Sequence, residues 1–136
     1  MKDLLFGGAR LNSLAGDVGL LILRVFAGLS LAAAHGLGKL PPSPEFMSGV
    51  ERLGFPGEAA WLSGVVEVFG GLALAAGLAT RPVAFLIACN VSVAGFLRHA
   101  PDPYGRKELA FLFLAVAIMF MLVGAGRFSL DRVIRR

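Results

Sequence analysis

Five side chains that can bind a polar ligand or transfer a proton lie within or beside long apolar stretches of this sequence. His35 and Lys39 are four residues apart, and Glu67 is the only acidic residue inside the second apolar stretch. His99 and Glu108 flank a short polar loop further along the chain. Ionisable groups inside a membrane are expensive and are therefore functional candidates by default. This set predicts an outward-facing polar pocket that binds a quinone or another small polar-headed molecule, or that relays protons.

Arg24 interrupts the first apolar stretch, and a charge in that position requires a partner. The opposite charge of Glu67 lies in the second stretch, at a depth that differs by roughly 6–8 Å, within reach of an arginine side chain. Both charges lie on faces of small residues with helical spacing, which allow membrane helices to approach closely: Arg24, Gly28, Ala32 and Gly36 in the first stretch, and Gly64, Glu67 and Gly71 in the second. We therefore predict that Arg24 pairs with Glu67 at the floor of the pocket.

Each of these residues also has a purely structural interpretation. The charged groups can form an ion-pair network that only fixes helix register, and Asn90 can make an interhelical hydrogen bond instead of binding a ligand. The two histidines and two carboxylates lack HxxxH or ExxH spacing, so we predict no metal site. Cys89 is the single cysteine, which excludes an intrachain disulfide, and its apolar neighbours predict a small buried side chain.

The composition predicts a membrane protein. Hydrophobic residues make up 57% of the 136-residue chain and charged residues only 16%, against about 25% charged in ordinary soluble domains. Four apolar stretches, at about 18–38, 59–79, 82–97 and 108–124, are separated by short polar segments. We predict an all-α fold: an integral membrane four-helix bundle of up-down topology, formed by residues 1–136 as a single domain.

The first loop carries the signals of a short helix. Ser43 can cap its start, Pro44 fits the first helical position and Gly54 ends it. Phe46 and Val50 fall on one side of this segment. Residues 45–53 are therefore predicted to form an amphipathic helix, either at the membrane interface over the pocket or as a plain surface helix.

The basic residues indicate an orientation. Four spans place both termini on the same side of the membrane, where seven of the thirteen Lys and Arg residues would lie, against five on the other side. The positive-inside rule then favours cytoplasmic termini. Basic residues form no stripe with interleaved aromatics, so we predict contact with lipid head groups and not with nucleic acid.

Six motifs, in order and with their spacing, make the chain resemble a known family. They are Arg24 in the first span, His35-Gly36-x-x-Lys39, Glu67 with Gly70-Gly71-Leu72, Gly77-Leu78-x-Thr80-Arg81, His99 followed by Glu108, and Gly124-Ala125-Gly126-Arg127-x-Ser129-Leu130-Asp131. Together they resemble the DoxX family over about residues 18–131. The resemblance implies a small four-helix integral protein of the bacterial inner membrane.

The resemblance also implies a link to redox chemistry. The family is named after a relative similar to the membrane subunit of a thiosulfate:quinone oxidoreductase, and other relatives are linked to thiol and oxidative-stress handling. The wider group resembles proteins that act in membrane-protein maturation, so fold-level similarity does not fix the function. Without a cysteine pair, a redox role here would use a bound quinone or a partner's cofactor.

These observations lead to two hypotheses for the function. The first is a redox-associated membrane subunit that binds a quinone-like molecule and acts with an oxidoreductase partner; if the complex is an enzyme, it is a quinone-linked oxidoreductase. In it Glu67 and His35 transfer protons, and the ligand contacts are Arg24, Lys39, Asn90, His99 and Glu108. The second is a non-catalytic protein that uses the same pocket for a lipid or a partner protein. A homo-oligomer is compatible with either hypothesis.

Overall fold

The structure is a computed structural model that describes residues 13–135. The described residues form helices joined by turns and loops, which confirms the all-α class. In chain order the helices are α1 (Leu14–Lys39), α2 (Pro44–Glu51), α3 (Ala59–Ala76), α4 (Thr80–Arg98), α5 (Tyr104–Val123) and α6 (Leu130–Arg135). The four long helices begin and end within four residues of the predicted apolar stretches.

Three helices, α1, α3 and α4, are long and apolar enough to cross a membrane. Helix α5 has 20 residues but carries Arg106, Lys107 and Glu108 near its start. Its uncharged part, residues 109–123, extends about 22 Å at the rise of an α-helix, against ~30 Å for a hydrocarbon core. Large apolar side chains point outward from all three candidate spans; Phe26 is 71%, Phe69 61% and Phe85 53% exposed. Such a surface suits contact with lipid tails.

The predicted small-residue faces pack α1 against α3. A Cβ atom placed on Gly28 would lie 2.7 Å from the Ala75 nitrogen, and one on Gly71 would lie 3.0 Å from the Ala32 nitrogen. At Gly36 the same construction comes within 2.7 Å of the Val68 nitrogen. Backbones this close leave no room for a side chain, so the glycines are required by the packing.

The core continues through α4 and α5, which pack against each other along most of their length. Ala84, Ile87, Ala117 and Phe120 are almost fully buried between them. Cys89 lies on the opposite, exposed face of α4. The prediction of a buried Cys89 is therefore wrong, because the helix turns this position towards the outer surface.

Serine hydroxyls cap the starts of α1 and α2, of which only the cap at Ser43 was predicted from the sequence. Ser13 Oγ accepts a hydrogen bond from the Gly16 nitrogen at 3.0 Å, and Ser43 Oγ accepts one from the Phe46 nitrogen at 3.1 Å. The helix expected at residues 45–53 is present as α2, with Pro44 at its first position. Its location at a membrane interface stays a prediction.

Each candidate span contains a π-helical stretch: Leu31–Gly36 in α1, Val66–Gly70 in α3 and Val93–Arg98 in α4. The first two lie against each other, and α4 packs on the second. A π-helical turn inserts an extra residue into the helix and is frequent at functional sites. Two of these stretches carry His35 and Glu67.

Candidate functional site

Glu67 lies at the centre of a polar cluster between α1, α3 and α4. Its side chain is only 4% exposed, and its Oε1 atom is 2.6 Å from Lys39 Nζ. The same oxygen accepts a hydrogen bond from Asn90 Nδ2 at 2.9 Å. The other oxygen, Oε2, is buried and has no hydrogen-bond partner among residues 13–135. A buried carboxylate oxygen without a donor is costly, so this atom marks the place where a ligand group or a proton would bind.

Lys39 forms the partly exposed side of this cluster. Lys39 ends α1 in a 3-10 turn. Its carbonyl oxygen packs closely on Gly64 of α3, where an added Cβ atom would lie only 3.2 Å away. Its side chain is 29% exposed, and Nζ lies 5.6 Å from the centre of the Phe46 ring of α2. The ammonium therefore has a carboxylate below it and an aromatic face beside it, which stabilise its charge. Two N–H groups of this ammonium are not used by Glu67.

His35 lies in the π-helical stretch that packs on the stretch of Glu67. Its ring meets Phe113 of α5 edge-on, with the ring centres 5.7 Å apart. Its imidazole makes no hydrogen bond to any residue of the described part of the chain. Both ring nitrogens are thus available for a ligand or a water molecule.

His99 belongs to a second cluster, in the loop between α4 and α5. Its Nδ1 atom is 2.7 Å from Asp102 Oδ2, and Arg106 Nη1 is 3.9 Å from Asp102 Oδ1. The hydrogen bond with His99 lowers the pKa of the Asp102 carboxyl, and the nearby positive charges lower it further, against a smaller opposing effect of burial. Glu108 is exposed on α5. The structure joins neither His99 nor Glu108 to the Glu67 cluster through a hydrogen bond.

The predicted pair of Arg24 with Glu67 is wrong. The Arg24 guanidinium donates three hydrogen bonds to backbone carbonyls: Nε to Ala75 at 3.1 Å, Nη1 to Ala125 at 3.0 Å and Nη2 to Phe128 at 2.6 Å. Ala75 is eight residues from Glu67, which is about 12 Å along α3 and beyond the reach of the side chain. The glycine contacts between α1 and α3 set this register, so Arg24 lies level with the end of α3. It is not at the floor of the Glu67 cluster.

Arg24 instead helps to hold residues 124–131, which we call the C-terminal clamp. Asp131 accepts hydrogen bonds from the Ala79 nitrogen at 2.6 Å and from the Thr80 nitrogen at 2.9 Å, at the start of α4. Asp17 of α1 accepts one from the Arg127 nitrogen at 2.9 Å and pairs with its guanidinium at 3.2 Å. The clamp thus ties the end of the chain to α1, α3 and α4.

The contacts made by four residues of these clusters were not predicted from the sequence. Phe46 and Phe113 looked like ordinary apolar positions, and no spacing rule connects them with Lys39 or His35. Asp17 and Asp131 lie near helix ends, where a carboxylate is favoured anyway. The quoted motif ending in Ser129-Leu130-Asp131 was the one signal that pointed to Asp131.

Two features of the described residues bear on ligand binding. No group of three or more His, Cys, Asp or Glu residues in the described part could hold a metal ion. An apolar groove of about 510 Å³ lies on the outer face of α1 and is lined by Leu21, Ile22, Val25, Phe26, Leu29 and Ser30. It is separate from the polar cluster, so the predicted pocket beside Glu67 stays a prediction.

The structure thus has three helices that are candidate membrane spans, with a buried polar cluster between them. Its sequence matches the DoxX family over residues 19–100. The chain belongs to the DoxX family, which confirms the resemblance seen in its motifs.

Two relatives are similar over most of their length. The chain is 30% identical to the "Putative oxidoreductase CatD" of Bacillus subtilis (strain 168) over 85% of this chain and 86% of that protein. It is 31% identical to the "Inner membrane protein YqjF" of Escherichia coli (strain K12) over 88% of this chain and 95% of that protein. No solved structure matches the chain.

Proposed function

We propose that this protein is a redox-associated membrane subunit that binds the head group of a quinone-like molecule at Glu67. The observation that carries the proposal is the buried Glu67 Oε2 atom, which has no hydrogen-bond partner in the described chain, beside an ammonium and an amide. The name of CatD supports a redox role, and the name of YqjF supports a bacterial inner-membrane location. We place α5 as the fourth span and both termini in the cytoplasm.

The chemistry of a quinone head group suits this cluster. A quinone has two carbonyl acceptors, and Lys39 has N–H groups that Glu67 does not use. The corresponding quinol has two hydroxyl donors, and Glu67 Oε2 is an acceptor without a donor. Interconversion of the two forms exchanges two protons and two electrons. Glu67 and His35 would take or give the protons, and the electrons would pass to or from the redox cofactor of a partner oxidoreductase.

Arg24 has no part in this proposal, because its guanidinium is bound to three carbonyls, of which that of Ala75 lies more than two helical turns from Glu67 along α3. His99 and Glu108 would act only if the loop between α4 and α5 closes on the ligand. Asn90 positions Glu67 through its amide. The proposed contacts of the head group are therefore Glu67, Lys39 and His35.

Thermal unfolding of detergent-purified protein with a short-chain quinone tests the proposal. A ligand at a hundredfold excess over its Kd stabilises a protein by about 2.7 kcal/mol, which is a readily measured shift in melting temperature. We expect the shift in the wild type and in Cys89→Ala, whose side chain lies on the outer face of α4. Glu67→Gln and His35→Ala should lose it. A shift that persists undiminished in both variants, or no shift with any quinone in the wild type, would contradict quinone binding at this site.

A non-catalytic scaffold is the second candidate. It is favoured by the fact that Lys39 and Asn90 both donate to Glu67 Oε1, which links three helices. In that case the cluster fixes the register of three helices, and the binding partner is a lipid or a protein. A solvent extract of the purified protein distinguishes the two candidates, because a co-purified quinone is detected by its ultraviolet absorbance.

A further inference from the structure

The two ends of the helix bundle differ in how their charges are distributed. We call the end formed by Asp17, the α3–α4 turn and residues 124–135 the tail end. Its two described carboxylates, Asp17 and Asp131, are only 4% and 3% exposed and are occupied by backbone N–H groups. Its arginines face outward: the Arg127 side chain is 48% exposed, and Arg132 is exposed. The carboxylates of this end are thus buried, as is the Arg24 guanidinium, while Arg127 and Arg132 face outward.

The opposite end has a mixed surface. Exposed carboxylates and basic groups alternate there: Glu45, Glu51, Glu58 and Glu108 with Arg52, Arg98 and Arg106. Among the described residues, therefore, only the tail end presents a surface of one sign. A one-signed basic surface at the boundary of a membrane protein is complementary to anionic lipid head groups.

The C-terminal clamp fixes the depth of this surface. Asp131 Oδ2 is 2.9 Å from the backbone nitrogen of Thr80, the first residue of the candidate span α4. Helix α6 is consequently held level with the membrane end of α4. Its apolar residues are exposed there, with Val133 at 66%, Ile134 at 50% and Leu130 at 45%. Positions 130, 133 and 134 share one side of a helix, while Arg132 lies on the other side.

We propose that the tail end is a docking surface for anionic phospholipids. Arg132 contacts the phosphates of the head groups, and Val133 and Ile134 enter the boundary between head groups and acyl chains. Both parts are needed, because a short basic amphipathic segment binds a membrane through buried apolar area and electrostatic attraction together. The clamp makes this binding stronger than that of a free peptide, since the helix is already positioned.

The test compares phospholipids on the full-length protein. Detergent-solubilised protein is titrated with spin-labelled phosphatidylglycerol or phosphatidylcholine, and the mobility of the label reports binding. We expect a preference for phosphatidylglycerol that falls with added salt. Arg132→Gln should lower this preference about fivefold, which corresponds to one basic residue near an anionic surface. Arg106→Gln is the matched control, because Arg106 is 74% exposed at the opposite end, and it should change nothing.

Three outcomes would overturn the proposal. One is equal binding of the two lipids to the wild type, and another is an unchanged preference in Arg132→Gln when its melting temperature equals that of the wild type. The third is displacement of the lipid by soluble glycerol phosphate, which would indicate a site for a free phosphate group. The double substitution Val133→Asn with Ile134→Asn tests the apolar contribution separately. It should weaken the binding of both lipids and preserve the preference for phosphatidylglycerol.

Discussion

Two buried charges at the scale of single residues are satisfied in different ways. Arg24 uses its three kinds of N–H group on three carbonyls, a planar fork of donors that lysine could not reproduce. Glu67 uses one carboxylate oxygen twice and leaves the other without a partner in the described chain. A fully bonded group contributes to stability, whereas a partly bonded one is available for binding. This contrast is why the function is placed at Glu67.

A double-mutant cycle tests the pair of Lys39 and Glu67. Lys39→Met leaves a buried carboxylate with only Asn90 as donor, and we expect it to lower the free energy of unfolding by ~2 kcal/mol, a value reduced from that of fully buried pairs because Lys39 is 29% exposed. Adding Glu67→Gln to this variant should recover part of the loss. The measurement is thermal unfolding in detergent. If the loss of unfolding free energy in the double variant equals the sum of the losses in the two single variants, the two side chains do not interact.

The residue types of the site were readable from the sequence, but its pairing was not. The rule that intramembrane charges need partners pointed to Arg24 and Glu67. It could not choose between partners, because that choice depends on the register of α1 against α3. A shift of a few residues in that register moves the nearest cation of Glu67 from Arg24 to Lys39. For Asn90 one of the two predicted roles is confirmed, because its side chain makes an interhelical hydrogen bond.

At the scale of helices, the sequence patterns predicted where the long helices begin and end, but not the π-helical stretches inside them. The apolar stretches predicted the ends of the long helices to within four residues. The three π-helical stretches were not predictable, because no propensity rule marks them. They matter for the site, since a π-helical turn changes the direction of every side chain that follows. His35 lies in one of these stretches, and its ring contacts Phe113 of α5.

Glycine-to-alanine substitutions test the contact between α1 and α3. A methyl group at Gly28 would lie 2.7 Å from the Ala75 nitrogen, so Gly28→Ala must push the helices apart, and we expect a loss of about 1–3 kcal/mol in unfolding free energy. Gly19→Ala is the control on the same helix, because nothing lies within 4 Å of the added atom. It should be neutral or stabilising by up to ~1 kcal/mol. Equal melting temperatures for the two variants would refute the close packing.

At the scale of the whole molecule, the C-terminal clamp joins residues that are far apart in sequence. Asp131 supplies the cap of α4 from 51 residues away, where Ala79 has a positive φ of 47° and offers no side-chain cap. Local patterns could suggest a polar tail but not its docking position. The clamp therefore explains how a turn with an unfavourable backbone conformation is held in place.

Removal of one carboxylate oxygen tests the clamp. Asp131→Asn keeps a single acceptor for the two N–H groups of Ala79 and Thr80, and we expect a loss of about 1 kcal/mol, typical of a weakened helix cap. The substitution should affect local opening of the first turn of α4 more than global unfolding. Hydrogen exchange at the first turn of α4 should accelerate, while Glu108→Gln, an exposed position on α5, leaves it unchanged. Unaltered exchange in Asp131→Asn would show that the cap is dispensable.

The hydrogen bonds of Arg24 also have a consequence for biosynthesis. Two of its carbonyl acceptors, on Ala125 and Phe128, are 101 and 104 residues further along the chain. At a translation rate of ~5–20 residues per second, they are made about 5–20 s after the arginine itself. During that interval the first helix must enter the bilayer with its guanidinium largely uncompensated, at a cost of ~2.5–3.5 kcal/mol on the insertion scale. Synthesis therefore has to reach Phe128 before all three carbonyl acceptors of Arg24 exist.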